Sequence, residues 1–216
     1  MDDPSSSPPP VVFVIDDDPA VRRLIAHLLK QQGIDVQLFE SAPSFLLRYQ
    51  HGEGSCIVVN VDMPAMSGIE LVKTLQHDQY APPIIVITAE DTVAQCRLAL
   101  RNGAWDFVPK PLDHAKLTAR VQRAIEINHQ RQVVKQDTLA FARRIDQLTD
   151  RERFVMERLA SGQKVKQIAK ALGIGFQTVS KHGIRAFQKL RVDNEVELAL
   201  KLKQVESLDN VVKSSG

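Results

Sequence analysis

Apolar positions in the first half of the chain fall into short runs. Val11–Ile15, Val36–Phe39, Cys56–Asn60, Pro83–Thr88 and Trp105–Val108 are rich in β-branched residues and read as strands. Ile57-Val58-Val59 has no polar alternation, the pattern of a strand buried on both faces of a parallel sheet. Between these runs the apolar spacing changes to the helical period. Val21, Leu24, Ile25, Leu28 and Leu29 line one face of a helix that Asp18 caps, Pro19 opens and Gly33 stops. Pro43–Tyr49, Ile69–Leu75 and Thr92–Asn102 predict three more helices, and Leu112 begins a fifth. Ser67 and Glu70 form a capping box ahead of the third. Strands alternating with helices predict an α/β doubly wound five-stranded parallel sheet.

From Thr149 onward the pattern is helical only. Thr149-x-x-Glu152 is a second capping box, followed by the inward residues Phe154, Val155 and Leu159 and a stop at Gly162. Val165–Leu172, the turn Gly173-Ile174-Gly175, Phe176–Leu190 and Glu195–Val205 complete an all-α four-helix domain. Two short helices about a glycine turn are the signature of a helix-turn-helix. Between the halves, Val134, Thr138, Phe141, Ile145 and Leu148 keep a heptad spacing. Ile127, Ala124 and Leu117 extend it backward, with Arg131 and Arg120 as interruptions. A helix packing on its own domain and a coiled coil between two subunits both satisfy that seam. The expected division is a disordered tail (1–10), a sheet domain (11–126), a helical linker (127–147), the helix-turn-helix domain (148–207) and a tail (208–216).

Charge sharpens this division. The 216 residues carry a net +2, yet residues 1–126 hold 11 Lys and Arg against 16 Asp and Glu, while residues 127–216 hold 17 against 10. An acidic front and a basic back suggest that the second domain meets nucleic acid. Residues 164–191 contain Lys164, Lys166, Lys170, Lys181, Arg185, Lys189 and Arg191 and no acid, an electrostatic footprint for phosphate rather than an ordinary mixed helical face. No apolar run approaches a membrane span. Cys56 and Cys96 lie in different elements without partner histidines and read as reduced core residues, so a cytoplasmic location and no membrane partner are expected.

The candidate chemistry sits at the strand ends. Asp16 and Asp17 follow the first strand, Asn60 ends the third, Thr88 ends the fourth and Lys110 follows the fifth. In an open α/β sheet all five meet at the carboxyl edge, where ligands bind. There a carboxylate pair can hold Mg²⁺, a hydroxyl can donate to a phosphoryl oxygen and an ammonium can neutralise it.

The stretch around Asn60, ending Met63-Pro64-Ala65-Met66-Ser67-Gly68, resembles the phosphorylation site of two-component response regulator receiver domains. That resemblance implies a flavodoxin-like sheet of order 2-1-3-4-5, an acidic pair at Asp16/Asp17, phosphoryl sensing by Thr88 and Lys110, and a switch aromatic at Phe107. The position of the phospho-accepting Asp holds Asn60, which is a poor nucleophile and has no charge for a metal. Any Mg²⁺ at Asp16/Asp17 is expected to be weak. An atypical receiver under another control, and a substitution that holds the unphosphorylated state, are both open. A cognate sensor histidine kinase is implied only where position 60 carries Asp.

The second domain resembles the LuxR/FixJ-type output domain at Leu148-Thr-x-Arg-Glu-Arg153, Gly162, Lys166-x-Ile-Ala169, Leu172-Gly-Ile174, Thr178-Val179, His182 and Lys189-Leu190. It implies a transcription regulator, not an enzyme, that binds double-stranded DNA; the heptad seam and the apolar face of the last helix add the expectation of a homodimer. Gln177, Ser180, Lys181, Ile184 and Arg185 fall on the outer face of the recognition helix, with His182 beside them and Lys164, Lys166 and Lys189 placed for phosphates. Lys181 is the first choice for reading a base. The alternative is an Mg²⁺-dependent phosphotransfer enzyme on a receiver-like sheet, which would need a carboxylate where Asn60 stands. A flavin-binding protein would need a Ser/Thr/Gly-rich loop where Asp16-Asp17-Asp18 stands.

Overall fold

The computed structural model describes residues 9–78, 80–89 and 93–214. Residues 1–8 of the expected N-terminal tail and the Cys96 side chain lie outside the described residues. The chain divides into two compact units, with the boundary between Arg131 and Gln132.

The first unit alternates β1 (Val11–Ile15), α1 (Pro19–Lys30), β2 (Asp35–Phe39), α2 (Ala42–Leu46), β3 (Cys56–Asn60), α3 (Gly68–Leu75), β4 (Ile84–Thr88), α4 (Val93–Arg101), β5 (Asp106–Pro109) and the start of α5 (His114–Ile145). All strand pairs are parallel and their order is β2-β1-β3-β4-β5. β3 and β4 are buried along their whole lengths, which explains why neither shows a polar alternation. Successive side chains feed two cores. Phe13, Ile15, Ile57, Val59 and Val86 pack with Phe45 of α2 and Leu71 of α3. Val12, Val14, Val58, Ile85 and Ile87 pack with Ile25 and Leu29 of α1 and Leu117 and Val121 of α5.

The α3 capping box forms as expected, with Glu70 N–H on Ser67 Oγ and Ser67 N–H on Glu70 Oε2. Gly68 has a further reason to be there. A Cβ at this position would lie 2.3 Å from the Asn60 carbonyl oxygen, so only glycine lets α3 begin so close to the tip of β3. Several element bounds differ from the sequence expectation by a residue or more: α2 is Ala42–Leu46 rather than Pro43–Tyr49, β5 starts at Asp106 rather than Trp105, and α5 starts at His114 rather than Leu112, while the expected start of α4 at Thr92 lies outside the described residues. Tyr49 instead leaves the helix to join an aromatic group with Phe13, Phe39 and Phe45, its hydroxyl donating to Asp78.

The second unit contains the end of α5, α6 (Asp150–Ala160), α7 (Val165–Leu172), α8 (Phe176–Leu190) and α9 (Glu195–Ser214). Thr149 and Glu152 cap α6 reciprocally. α7 stops at Gly173, whose φ of 64° is left-handed, and α8 starts at Gly175 without a side-chain cap. α9 runs to Ser214, well past the expected end at Val205. The heptad residues have a partner that the spacing did not reveal. Phe141 is fully buried, and Leu148 and the partly buried Ile145 join it against Leu190 and Leu198. Thr138 is also buried, its hydroxyl donating back to the Val134 carbonyl. Of the two arrangements the seam allowed, packing within its own domain holds for its C-terminal part, which is domain core. Val134 alone of the five is largely exposed, at 54%.

Candidate functional site

The strand ends assemble one hydrogen-bonded cluster. Asn60 is buried and its amide faces two ways. Nδ2 donates to Asp17 Oδ1 at 3.2 Å and to the Asp62 carbonyl at 2.9 Å. Oδ1 accepts from Lys110 Nζ at 3.3 Å. The Lys110 ammonium also stands 3.6 Å from Asp16 Oδ2. Asp16 is fully buried, and its Oδ1 accepts the Asp18 amide at 2.9 Å while Oδ2 has no hydrogen-bond donor. Burial pushes the Asp16 carboxyl above its ordinary value, against the pull of the Asp18 amide and the Lys110 ammonium.

Thr88 is buried at the end of β4, and its carbonyl fixes the Lys110 backbone N–H at 2.8 Å. Phe107 is half-buried on β5 and is not tied to the Asn60 cluster by any hydrogen bond. It is held by a residue that sequence reasoning treated only as a break in a heptad. Arg120 on α5 pairs with Asp106 at 2.5 Å, donates to the Phe107 carbonyl and places its guanidinium 5.7 Å from the Phe107 ring. Arg22 was missed as well. Its NH1 donates to the Asp16 carbonyl at 2.6 Å and the Asp17 carbonyl at 3.1 Å, securing the acidic loop. An arginine one turn into a helix after an Asp run was the only available signal, and it is a weak one.

In the second unit, α8 buries Val179, Gly183, Ala186 and Leu190 and turns Gln177, Lys181, Ile184 and Arg185 outward. Ser180 and His182 are half-buried at the edge of that face. Lys164 and Lys166 are exposed at the start of α7. Lys189, expected at a phosphate, has partners within the unit. It is bound to Glu152 Oε2 at 2.6 Å and to the Gln147 carbonyl at 3.3 Å, so it ties α8 to the start of α6. Gly183 faces α6, and a Cβ there would make a tight contact, 3.2 Å from Leu159 Cδ1.

This fold and these two sites define a receiver domain joined to a helix-turn-helix output domain. The response regulator receiver domain family matches residues 12–122, and the luxR family of bacterial regulatory proteins matches residues 146–202. The chain belongs to the response regulators that regulate transcription. Among its relatives, the transcriptional regulatory protein FixJ of Bradyrhizobium diazoefficiens is 35% identical over 182 residues, covering 83% of this chain and 87% of FixJ. TdiR of Thauera aromatica is 32% identical, covering 83% of this chain and 79% of its own length. Among solved structures, the response regulator StyR superposes with a TM-score of 0.76 at 32% identity, covering 91% of this chain and 100% of StyR. Full-length FixJ from B. japonicum superposes with a TM-score of 0.53 at 32% identity, covering 92% and 98%.

Receiver domains imply an Mg²⁺ ion, for which the pocket offers a poor donor set. Among the described residues no group of three or more His, Cys, Asp or Glu side chains converges. Asp16 and Asp17 supply two carboxylates, but Asn60 Nδ2 presents a donor to Asp17, where a cation would need an acceptor. The side chains as arranged do not fit a firmly held Mg²⁺. No helix among the described residues is long and apolar enough to cross a membrane.

Proposed function

We propose that this chain is a cytoplasmic regulator that binds double-stranded DNA through α8 as a homodimer, without phosphorylation at Asn60. The carrying observation is the division of α8 into a buried apolar stripe and an exposed face bearing Gln177, Lys181, Ile184 and Arg185. A recognition helix sets its N-terminal residues against base edges in the major groove. In this reading Lys181 reads a base, Arg185 a base or a phosphate, and Lys164 and Lys166 touch phosphates, which their exposure supports. Lys181→Ala is expected to cost about 1–3 kcal/mol on the cognate duplex and to relax specificity there. Lys166→Ala is expected to weaken specific and random duplexes alike and to lower the salt slope by about one. Titration of both variants over several salt concentrations is the test. Equal losses on both duplexes for Lys181→Ala would place it on the backbone, and no loss for either variant would remove α8 from DNA.

The reading of the receiver rests on the Asn60 amide. It supports a pocket closed by hydrogen bonds, with Mg²⁺ at Asp16 and Asp17 weak. Phosphotransfer needs a carboxylate nucleophile at the strand tip, so the chain is not an enzyme of that class. Thr88, Lys110 and Phe107 hold the positions that sense a phosphoryl group in a receiver with Asp at position 60, the form to which a sensor histidine kinase would deliver one.

A further inference from the structure

A second cleft opens on the first unit between α1, the end of β2 and α2, with a volume of about 360 Å³. Its charged lining is three guanidinium groups, Arg22, Arg23 and Arg48, against one carboxylate, Glu40. Leu38 of the edge strand adds an apolar wall and is 43% exposed. Ser44 also lines it, but its hydroxyl is engaged with the Ser41 backbone in the α2 capping box and is no free donor. Among the described residues, Arg23 and Arg48 have neither a hydrogen-bond acceptor nor an ion-pair partner. Arg22 is fixed through NH1 to the Asp16 and Asp17 carbonyls, which leaves its remaining N–H donors for a ligand.

Three cations around one cavity repel one another unless an anion joins them, and this excess is unlike the mixed signs of a solvated face. Guanidinium forks match the tetrahedral oxygens of phosphate with two donors each. The cavity is of the size that takes a small organic ligand. We propose that this cleft binds a phosphorylated small molecule through Arg22, Arg23 and Arg48. Occupancy is felt at the acidic loop through Arg22, the residue shared between the cleft and the Asp16–Asp17 backbone. The site does not depend on DNA binding or on the chemistry of position 60, and its test reads binding directly.

The probe is inorganic pyrophosphate, titrated calorimetrically into the full chain at about 0.15 M salt to suppress diffuse attraction. Saturable binding of one pyrophosphate per chain is expected. Arg23→Ala/Arg48→Ala, at two exposed positions, should weaken it by about tenfold or more. Arg23→Lys/Arg48→Lys keeps the charge but removes the planar fork, and should also bind distinctly more weakly than the parent. Hydrogen exchange at residues 16–18 should slow in the parent when pyrophosphate is bound. No saturable heat with the parent, or unchanged affinity in either double variant, would overturn the site. Binding with unchanged exchange at residues 16–18 would overturn its link to the acidic loop.

Discussion

Replacing Asn60 with Asp turns the central amide into a third carboxylate. Two hydrogen bonds go: Nδ2 to Asp17 Oδ1 at 3.2 Å and Nδ2 to the Asp62 carbonyl at 2.9 Å. At about 1 kcal/mol each, their loss costs about 2 kcal/mol. The new charge also faces Asp17. Two unit charges at that distance repel by about 5 kcal/mol at an effective dielectric of 20 and by about 1.3 kcal/mol in water, and Asp17 is exposed, which favours the lower figure. Lys110, already 3.3 Å from Asn60 Oδ1, returns part of this as a stronger ion pair. The net expectation for Asn60→Asp without divalent cation is a loss of about 2–3 kcal/mol. A midpoint drop of about 10 °C follows for a domain of this size. Mg²⁺ should restore stability to the variant, by about 2.7 kcal/mol at a hundredfold excess over its Kd, and leave the parent nearly unchanged. Thermal unfolding of both proteins with and without Mg²⁺ is the assay. A variant as stable as the parent in the absence of metal, or an equal Mg²⁺ effect on both, would refute the view that the amide closes the pocket.

Two further outcomes follow from the second unit. The Lys189 ammonium and the Thr149 amide hold the buried Glu152 carboxyl below its ordinary value, so its contribution is present above about pH 4.3 and lost as pH falls through the lower folded value. Glu152→Gln should therefore lower the unfolding free energy at pH 7, read from urea melts, by about 1 kcal/mol given the partial exposure of Lys189, and converge with the parent in acid; a loss of equal size at low pH would assign the effect to packing instead. Phe141→Ala removes a fully buried ring and should destabilise the second unit by about 3–5 kcal/mol, with faster hydrogen exchange confined to residues 132–205. Unchanged stability with reduced self-association would restore Phe141 to a dimer seam.

Legibility in the sequence followed the range of the interactions. Features set by local chemistry were readable: the β-branched runs of β3 and β4, the capping boxes at Ser67 and Thr149, and the glycine turn before α8. The sheet edge gathered Asp16, Asp17, Asn60 and Lys110 because parallel topology alone places strand ends together. What escaped depended on contacts between distant segments. A heptad spacing reports an apolar stripe but not its cover, and Phe141 meets Leu190 and Leu198, far along the chain. Arg120 read as an interruption because its partners, Asp106 and the Phe107 carbonyl, lie on a neighbouring strand. Gly183 sits inside a helix, where glycine costs about 1 kcal/mol relative to alanine, and only the fold shows that it faces Leu159 of α6. Lys189 reads as one more cation of a basic helix because its partner Glu152 lies 37 residues away in the sequence.

The central claim is that the receiver pocket is complete in form but cannot accept a phosphoryl group at Asn60. Intact-mass measurement after incubation with acetyl phosphate and Mg²⁺ tests it most directly. An unchanged mass is expected for this chain, and the gain of one phosphoryl group in Asn60→Asp. A phosphoryl adduct on the Asn60 chain, mapped to any residue of the pocket, would contradict it.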